Sequence, residues 1–160
     1  MARRLPTGRT ATTSDYDVVV PHPLSVRFRD PEVLQRLRSE AHDRGGSASS
    51  MAEQLIDEGL RMRRHPLITF RDGASGRRAT VVGGPDVWEI VGMVVGSDVP
   101  VGERVGRTAD ALGLRAAQVD AAVAYYADFT AEIDEQVADN AAASERAEAL
   151  WRRQRDLLAR

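Results

Sequence analysis

The segment Leu24-Ser25-Val26-Arg27-Phe28-Arg29 constrains this chain more than any other. Apolar Leu24, Val26 and Phe28 alternate with polar Ser25, Arg27 and Arg29. That is the period of a strand with one face for a core and one for water. A lone strand can neither pair its backbone nor bury its apolar face. Helix signals begin at the next residue, and further strand-like residues lie only beyond two helices. The partner strand is therefore expected from a second copy of the chain. The plainer alternative is a half-exposed edge strand whose arginines protect a sheet edge, which needs another sheet for it to join.

The helix signals are local and explicit. Asp30-Pro31-Glu32 supplies an N-cap, a proline at the first helical position and an acid in the first turn. Leu34, Leu37 and Ala41 mark the apolar face of this helix, and Gly45-Gly46 ends it. Ser47 is the next N-cap candidate. A second helix is predicted from about Ala48 to Arg64, with Ala52, Leu55, Ile56, Gly59 and Leu60 as its stripe. Arg61, Arg63 and Arg64 suit the negative end of its dipole, and Pro66 stops it.

Strand, helix, glycine turn, helix over residues 24–65 resembles the ribbon-helix-helix family of DNA-binding proteins. The resemblance rests on "LSVRFRD", the "DP" helix start and "GGSASS" opening the second helix. It implies a homodimer in which the strand pairs antiparallel with its copy and buries Leu24, Val26 and Phe28 against both chains' helices. Ser25, Arg27 and Arg29 would then face the major groove, which admits a two-stranded ribbon. Ser47 and Ser49, at the start of the second helix, would meet phosphate; the alternative for these serines is helix capping alone. Arg3 and Arg4, in a basic arm over 1–20, would add phosphate contacts.

Beyond Pro66 the pattern changes. "LITFRDGASGRRATVV" reads as two short strands around an Asp-Gly turn. Helices are predicted over about 86–95 and 103–112, and a long one starts near Arg115, with Val119, Val123, Tyr126 and Ile133 close to one side. A hairpin followed by helix, turn, helix suggests a winged-helix-like unit. Tyr125 and Tyr126 lie about 100° apart on the helix, so one is expected buried and the other nearer the surface. Trp88 is expected in the core.

Two fragments, "HPLITFRDGASGRRATVVGGPDVWEIV" and "LGLRAAQVDAAVAYYADFTAEID", resemble the domain of unknown function numbered 433. The chain departs from that pattern at Gly83-Gly84-Pro85, where the family usually carries Gly-Thr-Arg. The family often adjoins nuclease-like toxin genes, so the resemblance implies an antitoxin by association. Asp120, Asp128, Glu132, Asp134 and Glu135 oppose phosphate, so this half is read as protein-binding or dimer-supporting.

The tail, 141–160, carries Ala143, Ala147, Leu150, Trp151, Leu157 and Leu158 at helical spacing, with Arg146, Arg152, Arg153 and Arg155 around them. It either packs back on its own domain or lies in a partner's groove, where tryptophan and arginine are favoured anchors. For a toxin of the PIN-type nuclease class implied above, Arg152, Arg153 or Arg155 would reach the carboxylate cluster of its metal site.

Composition narrows the remaining classes. None of the 160 residues is cysteine, which excludes disulfides, thiolate catalysis and cysteine-ligated zinc. His22, His42 and His65 are scattered and match no metal-ligand spacing. "GASG" is not a nucleophile elbow, and "VVGGPD" is neither a phosphate loop nor a dinucleotide fingerprint. No enzymatic activity, metal or cofactor is expected. No apolar run nears the ~18 residues of a membrane span, and the N-terminus lacks a signal-peptide core; a cytoplasmic protein is expected. All 22 basic residues are arginine, a pattern attributed to coding bias. Residues 1–66 hold 11 Arg against 9 acids and residues 67–160 hold 11 against 15, so positive charge favours the DNA-reading half.

The expectation is thus a mainly α chain with short β structure: a basic arm over 1–20, a ribbon-helix-helix unit over 21–65, a winged-helix-like unit over 66–140 and an amphipathic helix over 141–160. The favoured function is the antitoxin of a type II toxin-antitoxin pair, holding a toxin and repressing its own operon. The alternatives are a free-standing dimeric repressor with a ligand-sensing or oligomerising second domain, and a nucleoid or partition protein.

Overall fold

The helix signals place the first two elements. In the computed structural model, which describes residues 24–73 and 76–159, α1 is Pro31–Asp43 and α2 is Ala48–Arg64. Asp30 Oδ1 accepts the Glu32 N–H at 2.8 Å, and Ser47 Oγ accepts the Ser50 N–H at 3.1 Å, so both predicted caps form. Between them Gly45 sits at φ 69°, a conformation that costs a side-chain-bearing residue about 1 kcal/mol. Its N–H reaches the His42 carbonyl and the Gly46 N–H reaches Ala41, the paired bonds of a Schellman stop.

The hairpin forms where alternation and small residues predicted it. Strand β1, Ile68–Gly73, pairs antiparallel with β2, Gly76–Val81, in a register from Ile68 opposite Val81 to Gly73 opposite Gly76. Asp72 and Gly73 complete β1 instead of forming the turn, and Asp72 stands opposite Arg77. Three helices follow: α3 (Val87–Val95), α4 (Val101–Leu112) and α5 (Ala116–Asp128). Gly113, at φ 65°, turns α4 into α5, while the Leu114 N–H closes back on the Ala109 carbonyl.

Among the described residues one core joins the hairpin to the three helices after it. Ile68, Ala79 and Val81 from the sheet meet Val87, Ile90 and Val91 of α3. Ala109, Val119, Ala122 and Tyr125 close the other side. Helix α3 is central through Val87, Ile90 and Val91, which are buried, while Met93 and Val95 stay exposed. Gln118 pins α5 to the sheet by donating from Nε2 to the Val82 carbonyl at 3.0 Å. Tyr125 is buried and Tyr126 half-buried, as their 100° offset predicted. Trp88 packs on the core's edge under the Arg78 guanidinium. The architecture is mainly helical, with one small two-stranded sheet.

Two expectations need correction. The long helix predicted from Arg115 is two helices: the chain leaves helical geometry at Phe129 (φ −129°, ψ 42°), and α6 then runs Thr130–Leu158. Residue 140, expected as a domain boundary, lies inside α6. Residues 24–30 pair with no strand of their own chain, and every one of them is exposed. Among the described residues no helix is long and apolar enough to cross a membrane.

Candidate nucleic-acid interface

The candidate interface begins with what α2 fails to bury. Its predicted stripe was Ala52, Leu55, Ile56, Gly59 and Leu60, yet Leu55, Ile56 and Leu60 are all about half exposed or more. The face it buries instead holds Met51 and Glu58. Glu58 is held by a fork from Arg77 on β2 and by Gln54 one turn earlier. Burial works against the Glu58 charge, but the Arg77 and Gln54 bonds outweigh it and keep this carboxyl below its ordinary range.

The extended segment shows the same imbalance. Leu24 is 81 % exposed, Val26 55 % and Phe28 38 %. Val33 on α1 and Met62 on α2 are exposed as well. Scattered surface apolar residues are ordinary, whereas a contiguous set marks an interaction surface. Here they fall on one short segment and the two helices after it. Ser25, Arg27 and Arg29 alternate with the apolar three and are exposed.

The serines divide. Ser47 Oγ is engaged by the Ser50 N–H and lies 2.9 Å from the Ser50 hydroxyl, so capping already uses it. Ser49 stands exposed in the first turn of α2. Arg3 and Arg4 lie outside the described residues.

The predicted partner-binding residues also share one place. Leu150, Trp151, Arg152, Arg153, Arg155, Leu157 and Leu158 are all exposed on the distal half of α6. The tail does not pack back on its own body: beyond Ala142 every described residue of the chain is exposed. The arginines are engaged along the helix itself. Arg155 lies over the Trp151 ring at 4.8 Å, and Arg152 pairs with Glu148.

A set of residues that pattern reading missed joins α2 to the rest. Arg61 Nη1 donates to the Tyr125 hydroxyl at 2.8 Å and to Glu132 on α6, and its guanidinium lies 4.2 Å above the Phe129 ring. Asp57 Oδ2 is 2.8 Å from Arg61 Nε, but that N–H is not aimed at it; the contact is an ion pair and not a hydrogen bond. Burial opposes the Arg61 charge, yet Glu132, Tyr125 and Asp57 together raise its pKa. Arg64 and His65 both reach Asp128, and the Arg64 bond is the main reason this carboxyl lies below its ordinary range. His65 is buried edge-on against Tyr125. Arg44 reaches Asp72 at 3.1 Å.

The sequence offered one signal for this set, the crowd of arginines ending α2, which was assigned to the helix dipole. Asp128 and Glu132, read as repelling phosphate, are instead neutralised by α2. Among the described residues no three His, Asp or Glu side chains gather where they could hold a metal ion. An open depression of about 340 Å³ lies between α3 and α4, lined by Gly92, Met93, Gly96, Arg107 and Thr108 among others. No protein-family model, curated protein or solved structure matches the chain significantly.

Proposed function

We propose that this protein is a homodimeric, sequence-reading DNA-binding protein that also holds a protein partner: the antitoxin of a toxin-antitoxin pair, repressing its own operon. The observation that carries the reading is that Leu24, Val26 and Phe28 of the segment before α1 and Leu55, Ile56 and Leu60 of α2 are all exposed. An antiparallel ribbon of residues 24–29 from two copies would cover them and satisfy the strand's backbone. The same pairing turns Ser25, Arg27 and Arg29 of both chains to one outer face, which suits a major groove. That is the ribbon-helix-helix arrangement, with the hairpin and α3 to α5 as a winged-helix-like unit behind it.

The partner role rests on α6, whose distal half presents Leu150, Trp151, Leu157 and Leu158 exposed, with Arg155 of the same helix over the Trp151 ring. A toxin of the PIN-type nuclease class fits an apolar helix flanked by Arg152, Arg153 and Arg155. The test is co-purification from the native cell of the full chain and of a chain ending at Asn140. A small protein held stoichiometrically by the first and lost by the second is expected. Equal recovery with both chains refutes the tail as the site, and no partner with either refutes the antitoxin reading.

The second reading, a free-standing repressor, draws on the depression between α3 and α4. Its glycine floor and Arg107 would suit a small anionic ligand, sensed without any toxin. A nucleoid or partition role would use the same ribbon without operator preference.

A further inference from the structure

The break between α5 and α6 is made without proline or glycine, since neither occurs between Ala116 and Leu158. Sharp helix kinks otherwise come most often from a side chain inserted into the backbone ladder. What stands at the break is a set of side-chain bonds. The Tyr126 carbonyl takes the Thr130 hydroxyl at 2.8 Å as well as the Phe129 N–H at 3.2 Å. The Tyr126 hydroxyl donates to Asp134 Oδ1 at 2.8 Å. In a continuous helix residues eight apart are separated by about 12 Å of rise, and helical rotamers aim the Tyr126 ring back toward the N-terminus, away from Asp134. The Tyr126–Asp134 bond therefore exists only while the elbow is bent.

The second half of the clamp comes from α2. Arg61 holds Glu132 on one side of the elbow and Tyr125 on the other, and covers Phe129 at the apex. Arg64 and His65 fix Asp128 at the end of α5. Arg61 and Arg64 lie in the last turn of α2 and His65 caps it, and the same helix carries the exposed Leu55, Ile56 and Leu60.

We propose that the α5–α6 elbow is a two-position joint, held bent by the C-terminal turn of α2 and able to close into one continuous helix when that grip is released. The direction of the distal α6 is then set by α2. This rests on the reading of α2 as part of the DNA-reading dimer and of α6 as the partner helix. Under it, a partner and a DNA site that each bind one elbow position better than the other shift each other's affinity by the same factor. The joint is a means by which partner occupancy reports to the operator without touching the ribbon.

The absence of cysteine makes the test direct. Spin labels on Ala117→Cys and Ser144→Cys, both exposed sites, would be about 40 Å apart along a continuous helix. The expected result is a distribution clearly shorter than that in the otherwise native chain. Arg61→Gln should move a substantial population to about 40 Å while helix content is kept or raised. Tyr126→Phe, which removes only the hydroxyl bonded to Asp134, should move it in the same direction and covers the case in which Arg61→Gln does not fold. A distance unchanged in Tyr126→Phe and in any folded Arg61→Gln overturns the proposal, as does a native chain already at about 40 Å. No DNA or partner enters the measurement, so its failure is separate from failure of the DNA-binding reading.

Discussion

Val26→Ala separates the dimer from the monomer in one substitution. Val26 is 55 % exposed in the single chain, so the chain's own fold draws little from its side chain. Shortening it removes two methyl groups, each worth about 0.8 kcal/mol on full burial. Roughly half of that remains to be gained on association, about 0.9 kcal/mol for each copy. The ribbon holds two copies, so the dimer should lose about 1.8 kcal/mol, roughly a 20-fold rise in its dissociation constant. Sedimentation equilibrium over a concentration series measures this directly. Thermal unfolding at concentrations where the chain is monomeric should change by less than about 0.5 kcal/mol, the range of surface substitutions. Unchanged association, or a native chain that stays monomeric throughout, refutes the reasoning. A large loss of monomer stability also refutes it, since Val26 would then be core.

Three further outcomes follow from the same geometry. Arg27→Ala should cost specific DNA binding roughly 1–3 kcal/mol for each lost guanine contact, with two copies per dimer, and leave binding to random duplex nearly unchanged; equal losses in a gel-shift titration mean phosphate contact only. Glu58→Ala leaves the Arg77 guanidinium at the α2–β2 junction without its fork and should lower stability by about 2 kcal/mol in urea unfolding, below the range of a fully buried pair because Arg77 keeps some solvent. In base, burial first and then the Glu132 carboxylate push the Tyr125 hydroxyl up to about 12, against the Arg61 bond. The fold favours the neutral phenol, so this contribution is complete below pH 10, the phenol's ordinary value, and is lost as pH rises from there to about 12. Unfolding free energy should fall by about 2 to 3 kcal/mol across that window, and Tyr125→Phe should remove most of the dependence.

Local chemistry made much of the fold legible. Asp30-Pro31, Gly45-Gly46, Ser47 and Gly113 act through bonds within a few residues of themselves, and each ends or starts its helix where expected. The hairpin could be read because alternation and glycine are likewise local. The break at Phe129 could not, because it carries neither proline nor glycine, and Arg61 and His65, over 60 residues earlier in the chain, meet it only in the folded structure. The apolar stripe of α2 was read as a stripe, and Leu55, Ile56 and Leu60 on it stay exposed in the single chain. Periodicity reports that a face is apolar and is silent on which chain covers it. For the same reason Asp128 and Glu132 looked like free negative charge until the structure set arginines against them.

The account stands on a ribbon that reads DNA, and selection of bound duplexes from a random pool by the full chain tests it most directly. The account predicts enrichment of a short motif with two related half-sites, as an antiparallel two-fold ribbon requires, and loss of that enrichment when Arg27 and Arg29 are both replaced by alanine. A pool retained without any preferred sequence, or a motif that survives the double replacement, would contradict it.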